Sequence, residues 1–135
     1  MDKLRLEIIT TERVMAQEDV EIVEATSAIG EFGILPGHIN FLTLIVPCQI
    51  RYGVEGKTRF LATSGGFAEV SENKVTFLLN EAEFAEEIDV DRARRAKERA
   101  EAALRELAFD HADYLRHEAA LMRAIARIST ASPHM

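Results

Sequence analysis

Over the first eighty residues, apolar and polar positions alternate in short runs. Leu4, Leu6 and Ile8 are separated by Arg5 and Glu7, a period of two that gives a strand one face for a core. Val20 and Ile22, set between Asp19 and Glu21, repeat the pattern. Phe41–Val46 is a nearly continuous apolar run of strand length, and Pro47 interrupts it before Gln49–Tyr52 resumes. Gly53-Val54-Glu55-Gly56 reads as the turn between Gln49–Tyr52 and Thr58–Ala62. Gly65-Gly66 breaks the next run. Phe67–Val70 and Val75–Leu79 then flank Ser71-Glu72-Asn73-Lys74, a hairpin signal. Short strands with frequent turns and no helical period predict an antiparallel β-sandwich or barrel.

Near residue 81 the period changes. No glycine follows Gly66, and alanine, arginine and glutamate take over. Ala93, Ala96, Ala100, Ala103 and Leu107 recur at spacings of three and four, which predicts an amphipathic helix. Asp89 is placed as its N-cap, with Ile88 before it and Ala93 as staple partner. Phe109-Asp110-His111 marks a break. Leu115, Ala119, Met122 and Ala126 then form a second seam, widened by Tyr114, Leu121, Ile125 and Ile128. Two helices with a short connection make an antiparallel hairpin. Its alanine seam allows close approach but buries little apolar area, so the hairpin needs a docking surface. The prediction is an α+β chain: a β-sandwich or barrel over residues 1–84 and a two-helix arm over 85–135. Ser129–Met135 is read as a frayed end.

Between these runs lies Gly30-Glu31-Phe32-Gly33-Ile34-Leu35-Pro36-Gly37-His38. Glycines permit backbone angles that other residues resist, and Pro36 pushes Leu35 toward extended geometry. The stretch reads as a loop of defined shape. Its apolar residues fit a tight connection tucked under a sheet; Glu31 and His38 fit a rigid loop presented to a partner. Both readings can hold.

Composition narrows the function. A chain of 135 residues is one domain with room for an appendage. A net charge of −7 argues against nucleic acid as the main partner. No apolar run approaches the roughly 18 residues of a membrane span, and the start shows no apolar signal core. Cys48 is the only cysteine, which excludes an intrachain disulfide and fits a reducing compartment.

No residue pattern points to catalysis. His38, His111, His117 and His134 lack metal-ligand spacing. Walker A and dinucleotide-binding patterns are absent, and Ser64 has no nucleophile-elbow context. The arginines are more informative. Arg92, Arg95 and Arg99 form one helical stripe, and Arg116, Arg123 and Arg127 form another. These could be solvated faces with intrahelical pairs such as Glu101 with Arg105. They could also hold an anion near the helix N-terminus, where Arg92 opposes the macrodipole and a phosphate would not.

Three segments resemble the epsilon subunit of F-type ATP synthases. They are Gly30–His38 with Phe41-Leu42-Thr43, Ser64–Val70, and Ile88-Asp89-Val90-Asp91-Arg92-Ala93. The resemblance implies a non-catalytic central-stalk subunit that couples proton flow to ATP synthesis. Its arm would inhibit ATP hydrolysis. Implied partners are the gamma subunit and the c-ring, with the alpha and beta subunits when the arm extends. Neither nucleic acid nor direct membrane insertion is implied, and the place is the cytoplasmic face of the bacterial inner membrane. No cofactor is required; ATP is implied as a regulatory ligand. The positions matching the family's ATP motif are Glu83, Ile88, Asp89, Arg92 and Arg99. Arg123 and Arg127 match after a one-residue shift across the helix connection. Glu31 and His38 match the loop facing the c-ring. A free-standing adapter with a helical partner-binding arm is the alternative reading.

Overall fold

A computed structural model describes residues 2–38 and 40–131. Eight strands come first: β1 (Leu4–Thr10), β2 (Val14–Val20), β3 (Ile22–Ser27), β4 (Gly30–Ile34), β5 (Phe41–Ile45), β6 (Cys48–Val54), β7 (Lys57–Ser71) and β8 (Lys74–Phe84). A single 3₁₀ turn, Ala85–Glu87, leads to helices α1 (Val90–Glu106) and α2 (Tyr114–Ala131). The predicted β-sandwich followed by two helices is what forms. The frayed end predicted at Ser129–Met135 is helical through Ala131, and the rest lies outside the described residues.

The strands hydrogen-bond in the order β2-β1-β8-β7-β5-β3-β4, with β6 pairing β3 and β7. Pairing is antiparallel except between β1 and β8, which run parallel from Arg5↔Lys74 to Thr10↔Leu79. A parallel neighbour leaves no turn between the strands to read in the sequence. The inward faces of all these strands meet in one core. Leu4, Leu6, Ile8, Ile34, Ile50, Leu61 and Phe77 are fully buried there, each contributing roughly 1.5–3 kcal/mol of burial.

Several expectations change. Val20–Ile22 is the junction of two strands rather than one strand. Half of the predicted glycine loop is β4, paired with β3 from Val23↔Ile34 to Ser27↔Gly30. Phe32 and Ile34 alternate with Glu31 and Gly33, and that alternation sends Ile34 into the core. The strand predicted at Val75–Leu79 continues to Phe84, because β7 continues opposite it as far as Leu61↔Phe84.

Gly65-Gly66 bends β7 without ending it. Before the pair, β7 bonds to β6; after it, to β5. A Cβ on Gly65 would stand 2.5 Å from the Ile45 carbonyl oxygen, and one on Gly66 would overlap the Leu78 carbonyl. Both residues have positive φ, 111° and 156°. Only glycine combines that backbone with such close neighbours.

Asp89 caps α1 as expected, its Oδ1 accepting from the Arg92 backbone N–H at 3.1 Å. Ala93 and Ala100 are buried on α1. On α2 the face is rotated from the predicted seam. Ala126 of that seam is buried, with Ala124 and Thr130 beside it, whereas Leu115, Met122 and Ile125 are 75%, 39% and 46% exposed. The helix packs on α1 and also on β6 and β7, and small side chains let it approach both. Glu101 pairs with Lys97 at 3.4 Å rather than with Arg105.

Candidate functional site

A cleft of about 960 Å³ lies between the arm and the sheet. Its floor is β7 at Ala62–Ser64 and β8 at Asn80–Glu83; the β1–β2 turn, Thr10–Arg13, forms one wall. The helices form the other, with Arg92, Ala96, Arg99 and Ala100 from α1 and His117, Ala120, Arg123, Ala124 and Arg127 from α2. Alanines keep the helix faces low, so the long guanidinium side chains stand around an open space.

The structure brings five of the seven predicted ATP-motif residues to this cleft: Glu83, Arg92, Arg99, Arg123 and Arg127. Ile88 and Asp89 do not line it. Ile88 is buried at the foot of α1, and Asp89 is the cap that fixes the turn carrying Arg92. Arg95 and Arg116, grouped with the stripes by spacing, also lie outside the lining. Glu83 accepts from Arg127 Nε at 2.5 Å and Nη2 at 3.5 Å. It therefore aims a cation while anchoring α2 to β8. Among the described residues Arg92, Arg99 and Arg123 make no ion pair. Unpaired cations in a common cleft are available to an anion.

Sequence reasoning did not place His117 or Arg13 in this cleft. His117, without metal-ligand spacing to the other histidines, carries no sequence signal for an anion cleft. Arg13 sits in a strand turn, outside any helical stripe, and its partners are distant in sequence. It donates to both Glu87 oxygens, at 2.8 and 2.9 Å. Glu87 also accepts from the Phe84 backbone N–H at 2.9 Å. That bond, then Arg13, holds the Glu87 carboxyl below the usual glutamate range. Arg59 reaches the same segment, pairing with Glu86 at 3.0 Å and covering the Phe84 ring at 4.4 Å. The connection between the two halves is thus held by side chains from two other places in the fold.

Glu31 and His38 lie elsewhere. Glu31 is exposed on β4, opposite Thr26. His38 follows a turn closed by its own N–H to the Leu35 carbonyl, 3.1 Å, and its ring lies 5.2 Å from Phe41. On the outer face of the sheet, Leu44, Phe67 and Leu78 align across β5, β7 and β8, and each is at least half exposed. Three large apolar residues thus lie together on a solvated face. No described helix is long and apolar enough to cross a membrane.

A β-sandwich with a docked helical hairpin and an arginine-lined cleft between them defines a two-part module. Two family models cover it: the ATP synthase delta/epsilon beta-sandwich domain at residues 3–85 and the delta/epsilon long alpha-helix domain at residues 86–132. The chain belongs to the ATP synthase delta/epsilon family. It is 49% identical over 125 residues to the ATP synthase epsilon chain of Nitratidesulfovibrio vulgaris, covering 93% of this chain and 92% of that one. It is 42% identical over 130 residues to that of Geobacter sulfurreducens, covering 96% and 94%. A chain in the Euglena gracilis mitochondrial ATP synthase structure of OSCP, F1 and c-ring superposes with a TM-score of 0.81 at 28% identity, covering 92% of this chain and 78% of that one.

Proposed function

We propose that this chain is a non-catalytic rotor subunit of a bacterial F-type ATP synthase, and that its arm responds to ATP. In this reading it sits at the cytoplasmic face of the inner membrane and helps couple proton flow to ATP synthesis. Its β domain meets the gamma subunit and the c-ring. The row Leu44, Phe67 and Leu78 supplies an apolar face for the first contact. Glu31 and His38, on β4 and the loop after it, serve the second. Family membership favours this reading over a free-standing adapter.

One observation carries the nucleotide part. In a chain of net charge −7, five arginines converge on a cleft whose lining holds three glutamates. Polyphosphate is the anion that such a cluster fits, since guanidinium groups bind phosphate oxygens through paired charge-assisted bonds. The cleft has walls on both the arm and the β domain, so a bound nucleotide favours the docked arm by population shift. With ATP absent, the arm leaves the sheet and extends among the alpha, beta and gamma subunits, blocking hydrolysis. Reconstituting the catalytic complex with the full chain and with a chain ending at Ile88 tests this. Hydrolysis is expected to be inhibited by the full chain at low ATP and not by the short one, while both bind gamma. Equal hydrolysis with the two chains would overturn the inhibitory role.

A further inference from the structure

We propose that Arg13, contributed by the β domain, is a further phosphate-contacting residue of the cleft, and that it exchanges Glu87 for a phosphate oxygen when a nucleotide polyphosphate enters. The inference rests on the nucleotide reading above and extends it to a residue outside the helical motif.

Arg13 lines the same cleft as Arg92, Arg99, Arg123 and Arg127. Its present partner is replaceable. The pair with Glu87 runs through a single nitrogen, Nη2, which reaches both carboxylate oxygens at 2.8 and 2.9 Å, and the two side chains are 51% and 38% exposed. Solvent screening makes such a pair weak. A phosphate offers several acceptor oxygens and more charge, and can engage more than one guanidinium nitrogen. Glu87 does not become an orphan on exchange, because the Phe84 N–H still donates to its Oε1 and its side chain is 38% exposed to solvent. The turn itself is held without the guanidinium: Thr10 Oγ1 accepts from the backbone N–H groups of Glu12 and Arg13, both at 3.2 Å.

The consequence is mechanical. Arg13 belongs to the β1–β2 turn, Glu87 to the connection between the two halves, and the other four arginines to the arm. A polyphosphate held by both sets ties the arm to the domain directly. The exchange also detaches that connection from the turn, so nucleotide replaces one tether with another.

Calorimetric titration of the full chain with ATP and with adenosine tests the exchange. Arg13→Ala is expected to weaken ATP binding about five- to tenfold and to leave adenosine binding unchanged. Glu87→Gln keeps an acceptor for the Phe84 N–H but removes the competing charge. It is expected to tighten ATP binding about two- to fivefold, and only when Arg13 is present. A purely structural pair predicts the opposite sign, with both variants weakening binding alike. That result, or unchanged ATP affinity in Arg13→Ala beside a weakened Arg92→Ala, overturns this inference and leaves the nucleotide reading standing. Absence of ATP binding by the wild-type chain overturns both.

Discussion

Replacing Arg123 with alanine separates an anion site from a solvated helix face. Arg123 is exposed on α2 and makes no ion pair among the described residues. Its loss should therefore change the stability of the nucleotide-free protein by no more than ~0.5 kcal/mol. Against a phosphate the same guanidinium contributes a charge-assisted contact of roughly 1.5–3 kcal/mol, which makes ATP binding about ten- to a hundredfold weaker in the variant. Arg127→Ala is the internal contrast. Arg127 already bonds Glu83 at 2.5 Å, and the two side chains are only 24% and 32% exposed. Its removal should lower the melting midpoint without ligand as well as ATP affinity. Calorimetry gives the affinities and thermal melting gives the midpoints. ATP binding by Arg123→Ala as tight as that of the wild type would refute the reasoning, because an available cation of the cleft would then not meet the ligand.

Gly66→Ala should lower stability by more than about 2 kcal/mol in denaturant titration, since the added Cβ overlaps the Leu78 carbonyl at a positive φ; a small change would mean that β7 can change partners without the close approach. The Arg13–Glu87 pair should stabilise the fold above the ordinary glutamate value of 4.5 and cease to do so as pH falls through the lower folded-state value. The melting difference between wild type and Arg13→Ala should accordingly be present at pH 7 and shrink in acid; a difference that grew as the pH fell below 4.5 would contradict the sign. Glu31→Ala with His38→Ala should leave circular dichroism unchanged and weaken ATP-driven proton pumping by the assembled complex, whereas wild-type pumping would remove these residues from the coupling surface.

The sequence was most legible where local pattern and final packing agree. Leu4, Leu6 and Ile8 alternate and are buried; Asp89 precedes a helix and caps it. It was least legible where a residue's role depends on distant chain. Gly65-Gly66 looks like a break until β5 and β8 are known to close in from both sides. The second helix carries two usable faces, one rich in Leu, Met and Ile and one rich in alanine. Hydrophobicity favours the first, but close packing on α1, β6 and β7 selects the second. Within the cleft, helical spacing placed Arg92 and Arg99 together. Arg13 could not be placed that way, because its neighbours there come from strands and helices far along the chain.

Hydrogen exchange of the full chain with and without millimolar ATP addresses most directly the claim that nucleotide in the arginine cleft holds the arm against the sheet. The account predicts slower exchange along α1 and α2 and at the Thr10–Arg13 turn, with no change in β4 and β5, which lie outside the cleft. Unchanged exchange in both helices at saturating ATP would contradict it.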